Sequence, residues 1–139
     1  MTGIDNRLEQ KIGFDRIRRI ISDKCSTTYA AGRTATETFS AKPSQIRKRL
    51  LLTDEMRLIM MFEDGFPSSG FIDCIDFLKP LENSSSAIDI ISLRKLKTML
   101  DTLRRVTAFF EDVKDGVYPN LKRMSASILG FPAIQHKID

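Results

Sequence analysis

The chain has 139 residues, of which 42% are hydrophobic and 29% are charged, and its formal net charge is +4 at pH 7. This length suits one domain or part of one, and the composition argues against a disordered chain. There is no hydrophobic signal core at the N-terminus, and the longest apolar run, residues 58–62, is too short to cross a bilayer. We therefore expect a cytoplasmic protein with no membrane contact.

The distribution of charge and the two cysteines indicate which kinds of binding site to expect. Basic side chains outnumber acidic ones in residues 1–64 and 93–139, and acidic ones dominate residues 65–92. A mild basic bias is compatible with phosphate contacts, although many helical domains share it. Cys25 and Cys74 match no metal-site spacing, and without a signal peptide we expect both thiols to be reduced.

The first third of the chain predicts three helices. Residues 4–12 form a short one that Gly13 ends, and a second follows with Asp15 as its N-cap. Three arginines of this second helix, Arg16, Arg18 and Arg19, either lie on a water-facing surface or form a phosphate-facing patch. A third helix, residues 28–39, is rich in small side chains, and Gly32 there predicts close packing against another backbone.

Residues 44–64 contain neither proline nor glycine and predict the longest uninterrupted helix of the first half. Ser44 follows Pro43 and is the expected N-cap, and Gly65 ends the run. Apolar residues occupy nearly all sides of this helix, which is typical of a helix buried by its neighbours. We interpret it as the central rod of a helical bundle.

The second half begins with weaker elements. Residues 65–72 are rich in turn-forming residues and predict a loop. A short helix follows over residues 73–81, then a polar stretch at residues 83–86. Residues 87–91 are predicted to be briefly extended because isoleucine favours strand geometry.

The clearest helix of the chain spans residues 93–113, with Ser92 as its predicted cap. Its apolar residues recur every three or four positions, as in a packing seam. The residues assigned to packing or protein interaction are Leu93, Leu96, Leu100, Leu103 and Phe110. Arg104 and Arg105 occupy other faces, which either meet water or are weak candidates for nucleic-acid binding.

Two shorter helical patterns close the chain. Leu121, Met124 and Ile128 mark one that ends at Gly130, and Ile134 and Ile138 are spaced for another. We expect an all-α fold, a single helical domain over residues 1–139 that is a fragment of a larger protein.

No catalytic motif is present in the sequence. It lacks the phosphate-binding G-x-x-x-x-G-K-[ST] pattern, and it has no GxSxG, HExxH, EF-hand or CxxC. The single histidine, His136, lies near the terminus, and the adjacent carboxylates of Asp54 and Glu55 point apart on a helix. We assign no catalytic, cofactor-binding or metal-binding residue.

Several short motifs in order carry a family resemblance. They are Phe14-Asp15-Arg16-Ile17, Cys25-Ser26-Thr27 followed by Gly32-Arg33, Lys42-Pro43, Thr53-Asp54-Glu55, Gly70-Phe71-Ile72-Asp73, and Ile91-Ser92 followed by Thr102-Leu103. In this order and spacing the chain resembles the N-terminal region of the second branch of MutS-type proteins, which act against recombination rather than in ordinary DNA mismatch repair.

The resemblance implies a parent protein with an ATPase domain and usually a C-terminal Smr endonuclease domain. Such a parent is a homodimer that binds branched or mismatched DNA, or stalled ribosomes in some members. This chain would supply helical core and lever elements, while the sites for ATP and Mg²⁺ and the nuclease residues lie outside it. Two alternatives stay open: a stand-alone helical adaptor that docks through the seam of residues 93–110, and an independent basic nucleic-acid binder.

Overall fold

A computed structural model describes residues 6–83 and 86–138. Over these residues the fold is all-α, as predicted, with no β-strand. The helices are α1 (Asn6–Lys11), α2 (Phe14–Asp23), α3 (Thr28–Ala35), α4 (Pro43–Phe62), α5 (Ile75–Leu78), a 3₁₀ helix (Lys79–Glu82), α6 (Ile90–Asp112), α7 (Pro119–Ser125) and α8 (Pro132–Ile138). Where the sequence predicts one domain, the chain divides into two compact units, Met1–Ala41 and Lys42–Asp139.

The first unit contains α1, α2 and α3, and α2 packs against both of the others. Gly13 joins α1 to α2 in a left-handed conformation with φ +74°, which glycine adopts without steric penalty. Gly13 also occupies the N-cap of α2, so the prediction of Asp15 as the cap is wrong. Positions 4 and 5 of the predicted first helix lie outside the described residues.

Helix α3 is shorter than the sequence predicts. Its N-cap is Thr27, whose hydroxyl accepts the N–H of Ala30 at 3.1 Å. It ends at Ala35 rather than at Phe39 because the chain turns back there, and the Phe39 ring stacks on Phe14 with 4.3 Å between centroids. Stacking of these rings holds the segment after α3 against the start of α2.

The second unit is built around α4, α6 and α7. Its buried core consists of Ile59, Val106, Phe110, Tyr118 and Leu121. The rings of Phe66 and Phe109 meet edge to face at 5.2 Å between centroids and extend this core toward the loop after α4. The core therefore lies beside the second half of α4.

The central-rod interpretation of α4 is wrong for its first half. Only Glu55 and Ile59 are buried along the whole helix, and residues 41–51 are all exposed. The partners of α4, which are α7 and the core side chains of α6, reach only its second half. The start also differs, because Pro43 is already helical and Lys42 rather than Ser44 takes the N-cap.

Gly70, in the connection between α4 and α6, packs closely against α6. Gly70 has φ +92°, and its carbonyl oxygen accepts the fully buried Thr102 hydroxyl of α6 at 3.1 Å. A Cβ atom on Gly70 would collide with the Thr102 Oγ1 atom. The loop predicted for residues 65–72 is thereby held against the middle of α6.

The start of α6 lies earlier than predicted. Asp89 is the N-cap, its Oδ1 accepts the Ser92 N–H at 2.9 Å, and its Oδ2 accepts the Ser92 hydroxyl at 2.6 Å. These bonds satisfy first-turn donors, so α6 begins at Ile90 and takes in the last two residues of the predicted extended segment, whereas Asp89 has extended backbone angles. The helix predicted over residues 73–81 is divided into α5 and the 3₁₀ helix.

Candidate interaction surfaces

The described residues contain no cluster of three or more histidine, cysteine, aspartate or glutamate side chains that could hold a metal ion. In the same part of the chain, every buried polar side-chain atom has a hydrogen-bond partner.

One of these buried groups, the Glu55 carboxylate, caps α7. Its Oε1 accepts the Asn120 N–H at 3.1 Å and the Asn120 side-chain amide at 2.6 Å, and its Oε2 accepts the Leu121 N–H at 2.7 Å. Helix α7 has no side-chain cap of its own, so Glu55 supplies one from α4. Asp54, the adjacent carboxylate, is exposed.

Two further polar contacts hold the segment between α6 and α7. The Tyr118 hydroxyl donates to Glu63 Oε1 at 2.9 Å, and this hydrogen bond raises the pKa of Tyr118. Lys122 Nζ donates to the Val113 carbonyl oxygen at 2.7 Å and to Asp115 Oδ1 at 2.8 Å. Its hydrogen bond and its positive charge lower the pKa of Asp115.

Among the three arginines predicted as a patch on α2, Arg18 has a structural role. Its Nη2 pairs with Glu9 Oε2 at 2.6 Å, its Nη1 donates to the Glu37 carbonyl oxygen at 2.6 Å, and its guanidinium lies 4.9 Å from the Phe14 ring centroid. These contacts tie α1, α2 and the segment after α3 together. Both Nη atoms of Arg18 are thus engaged within the first unit, whereas Arg16 and Arg19 are exposed.

Arg104 and Arg105 are both exposed, and they face different sides of α6. Arg104 lines a cavity of about 320 Å³ together with Leu103 and Glu111. Arg105 lines another, of about 570 Å³, with Glu63 and Asp112. Each arginine has a carboxylate on the rim of its own cavity, and the two do not form one patch.

The seam of α6 faces the protein's own interior. Leu100 and Phe110 are buried, and Leu93, Leu96 and Leu103 are half-buried. The residues that fill the core from this helix also include Val106, which lies beside the seam. The surface that the adaptor alternative requires is therefore largely used for internal packing.

One of the exposed apolar surfaces in the described part of the chain lies on the first half of α4. We define the α4 face as the six residues that line an open groove of about 480 Å³: Pro43, Ile46, Arg47, Leu50, Leu51 and Asp54. Leu50 is 64% exposed and Leu51 is 45% exposed.

Sequence reasoning missed this face by placing α4 inside a bundle. The signal that points to it is the basic run Arg47, Lys48, Arg49. Three consecutive positions, about 100° apart, cover most of the helix circumference and are incompatible with burial on all sides.

None of the helices in the described ranges combines the length and apolarity that a bilayer-spanning segment needs. No protein-family model matches the chain, and neither curated proteins nor solved structures gave a match.

Proposed function

We propose that the chain is a helical core and lever module of a MutS-like ATPase. The parent protein would bind branched or mismatched DNA and suppress recombination, or act on stalled ribosomes. The short motifs from Phe14-Asp15 to Thr102-Leu103 support this assignment through their order along the chain.

The structural observation that carries the proposal is the α4 face. About three turns of α4 project beyond the core with Leu50 and Leu51 exposed. A large exposed apolar patch is unusual on an isolated domain and marks a surface that packs against other protein. A helix whose second half is anchored in the core by Glu55 and Ile59, and whose first half is exposed, suits a lever that links neighbouring domains.

The other parts of the proposal follow from the same resemblance. ATP and Mg²⁺ would bind in an ATPase domain outside these residues, and an Smr endonuclease domain would lie farther along the parent chain. The parent would be a cytoplasmic homodimer, and this chain would carry no enzymatic activity. We expect weak or no binding of a labelled four-way DNA junction by these residues alone.

The test is to sequence the coding DNA downstream of Asp139. The proposal requires a long helical stretch and then a G-x-x-x-x-G-K-[ST] motif. A stop codon within a few residues would reject it, whatever the behaviour of the α4 face.

The second candidate function is a stand-alone adaptor. The α4 face supports this function, but as a docking surface in place of the seam of residues 93–110. A photo-crosslinking amino acid at position 50, in place of Leu50, tests it in cells. One dominant foreign protein that is lost with Ile46→Asp supports the adaptor, and the absence of a foreign crosslink rejects it.

A further inference from the structure

The α4 face is self-complementary when two copies are placed antiparallel. Arg47 precedes Leu50 by three residues, and Asp54 follows Leu51 by three residues. A two-fold axis between Leu50 and Leu51 therefore sets Arg47 of each copy opposite Asp54 of the other. It also sets Leu50 of each copy beside Leu51 of the other. A two-fold interface uses the same patch on both partners, which is the arrangement that this pattern provides.

The helix geometry puts these groups on one side. At about 100° per residue, the α4 face occupies a stripe of roughly 140°, with Asp54 nearest its middle, Leu50 and Arg47 to either side, and Leu51 at one edge. Along the helix axis, Leu50 and Leu51 lie between charges of opposite sign. Complementary charges of this kind fix the orientation of paired helices. A parallel pair in the same register would instead place Arg47 against Arg47 and Asp54 against Asp54.

Asp54 retains the capacity to accept a second arginine. In the chain, Arg57 Nε and Nη2 both contact Oδ1 of Asp54, at 3.1 Å and 2.8 Å. The Oδ2 atom is directed to neither of these donors, and the side chain is 58% exposed. A carboxylate accepts several hydrogen bonds through its two oxygens, so Arg47 of a second copy can bind without breaking the Arg57 contact.

We infer that the α4 face binds a second copy of this chain as an antiparallel helix pair, with reciprocal ion pairs between Arg47 and Asp54. The paired stretch is about three turns, or ~18 Å, which is short for a protein interface. We therefore expect a weak, concentration-dependent dimer. The inference rests on α4 alone and does not depend on the family resemblance.

Sedimentation velocity of the full chain, from micromolar to near-millimolar concentration, tests this pairing. Arg47→Asp and Asp54→Arg each turn both ion pairs into like-charge contacts, and we expect each to weaken the dimer by about tenfold or more. The double reversal Arg47→Asp with Asp54→Arg restores complementarity and should return the affinity to within about threefold of the original. Far-ultraviolet circular dichroism checks that each variant retains its helices.

Two apolar substitutions on the same helix complete the design. Leu50→Lys should abolish the dimer, while Met60→Lys, at a similarly exposed position on another side of α4, should leave it unchanged. A chain that is monomeric at every concentration would overturn the inference. So would a dimer that ignores the single reversals, or one that the double reversal fails to restore. None of these outcomes bears on the reading frame downstream of Asp139, so the proposed function is judged separately.

Discussion

The Glu55 carboxylate of α4 accepts the backbone N–H of Leu121 at 2.7 Å, so one helix supplies the N-terminal cap of another. This contact joins residues far apart in sequence and is closed off from water, since Glu55 is 7% exposed.

We expect Glu55→Ala to destabilise the second unit by about 2 to 3 kcal/mol. The substitution leaves the Asn120 and Leu121 N–H groups without an acceptor in a buried place. Urea denaturation followed by circular dichroism measures the loss. Asp54→Ala is the matched control on the same helix, and because its pair with Arg57 is exposed it should cost under about 1 kcal/mol. Equal losses for the two variants would contradict the capping role.

The glycine at position 70 predicts a second stability difference. Gly70→Ala combines a positive φ with a collision against Thr102, and we expect a loss of about 3 kcal/mol in the free energy of unfolding. Gly116 has φ +86° with no neighbour within 4 Å of an added Cβ, so Gly116→Ala reports the backbone strain alone. Gly65→Ala has neither problem. The loss should rise from Gly65 to Gly116 to Gly70, and a loss for Gly70→Ala no larger than that for Gly116→Ala would mean that the Thr102 contact is not tight.

In the first unit, Arg18 and Glu9 should be strongly coupled. Arg18→Ala leaves the buried Glu9 carboxylate without its ion-pair partner, which costs about 3 kcal/mol. A double-mutant cycle with Glu9→Gln should give a coupling energy of about 1 to 3 kcal/mol in thermal or urea melts. Arg19→Ala, at an exposed position of the same helix, is the control and should be nearly neutral. If both alanine variants melt alike, Arg18 is a surface residue after all.

Titration of Tyr118 tests its bond to Glu63. The hydrogen bond favours the neutral phenol in the folded state, so the pKa of Tyr118 is raised above its ordinary value of about 10. The corresponding stabilisation is fully present below about pH 10 and is lost as the pH rises through the raised pKa. Phenolate absorbance in a Tyr29→Phe background follows Tyr118 alone, because the chain has two tyrosines. Glu63→Gln should lower the titration midpoint, and an unchanged midpoint would show that the bond does not form in solution.

One contribution to the stability of the fold at acidic pH comes from Asp115. Its pKa is lowered by Lys122, so this contact contributes stability above the ordinary aspartate pKa and loses it as the pH falls through the lowered value. Lys122→Met should remove that part of the acid dependence and return the Asp115 carboxyl resonance, followed by NMR, to an ordinary midpoint. Arg123→Met, on the same helix, is the comparison and should leave the Asp115 midpoint in place.

The sequence predicts the order of the helices well and their tertiary environment less well. The break at Gly13 and the long helix ending near Val113 follow from local patterns, because a glycine and a regular apolar period act over a few residues. The exposure of α4 does not follow, since periodicity shows which sides are apolar but not which of them a partner reaches. Asp89 was missed as the cap because Ser92, three residues later, is an equally suitable residue type.

The candidate binding residues were likewise only partly predictable from the sequence. Arg16, Arg19, Arg104 and Arg105 are exposed, as expected of basic residues on helices, and their role in phosphate binding stays a prediction. Arg18 differs because its partners, Glu9 and the Glu37 carbonyl group, come from other elements that no local pattern reveals. The antiparallel relation of Arg47 and Asp54 becomes visible only once the structure leaves the first half of α4 uncovered.

The bond between Glu55 and the start of α7 also has a mechanical meaning. A slide of α4 by one residue would move Glu55 by about 1.5 Å, and a turn by one residue would rotate it by about 100°, so either would carry the carboxylate away from the Leu121 N–H. The cap therefore favours a single register between the two helices. A displacement of α4 along its axis would have to stretch or break these hydrogen bonds before α7 could stay behind.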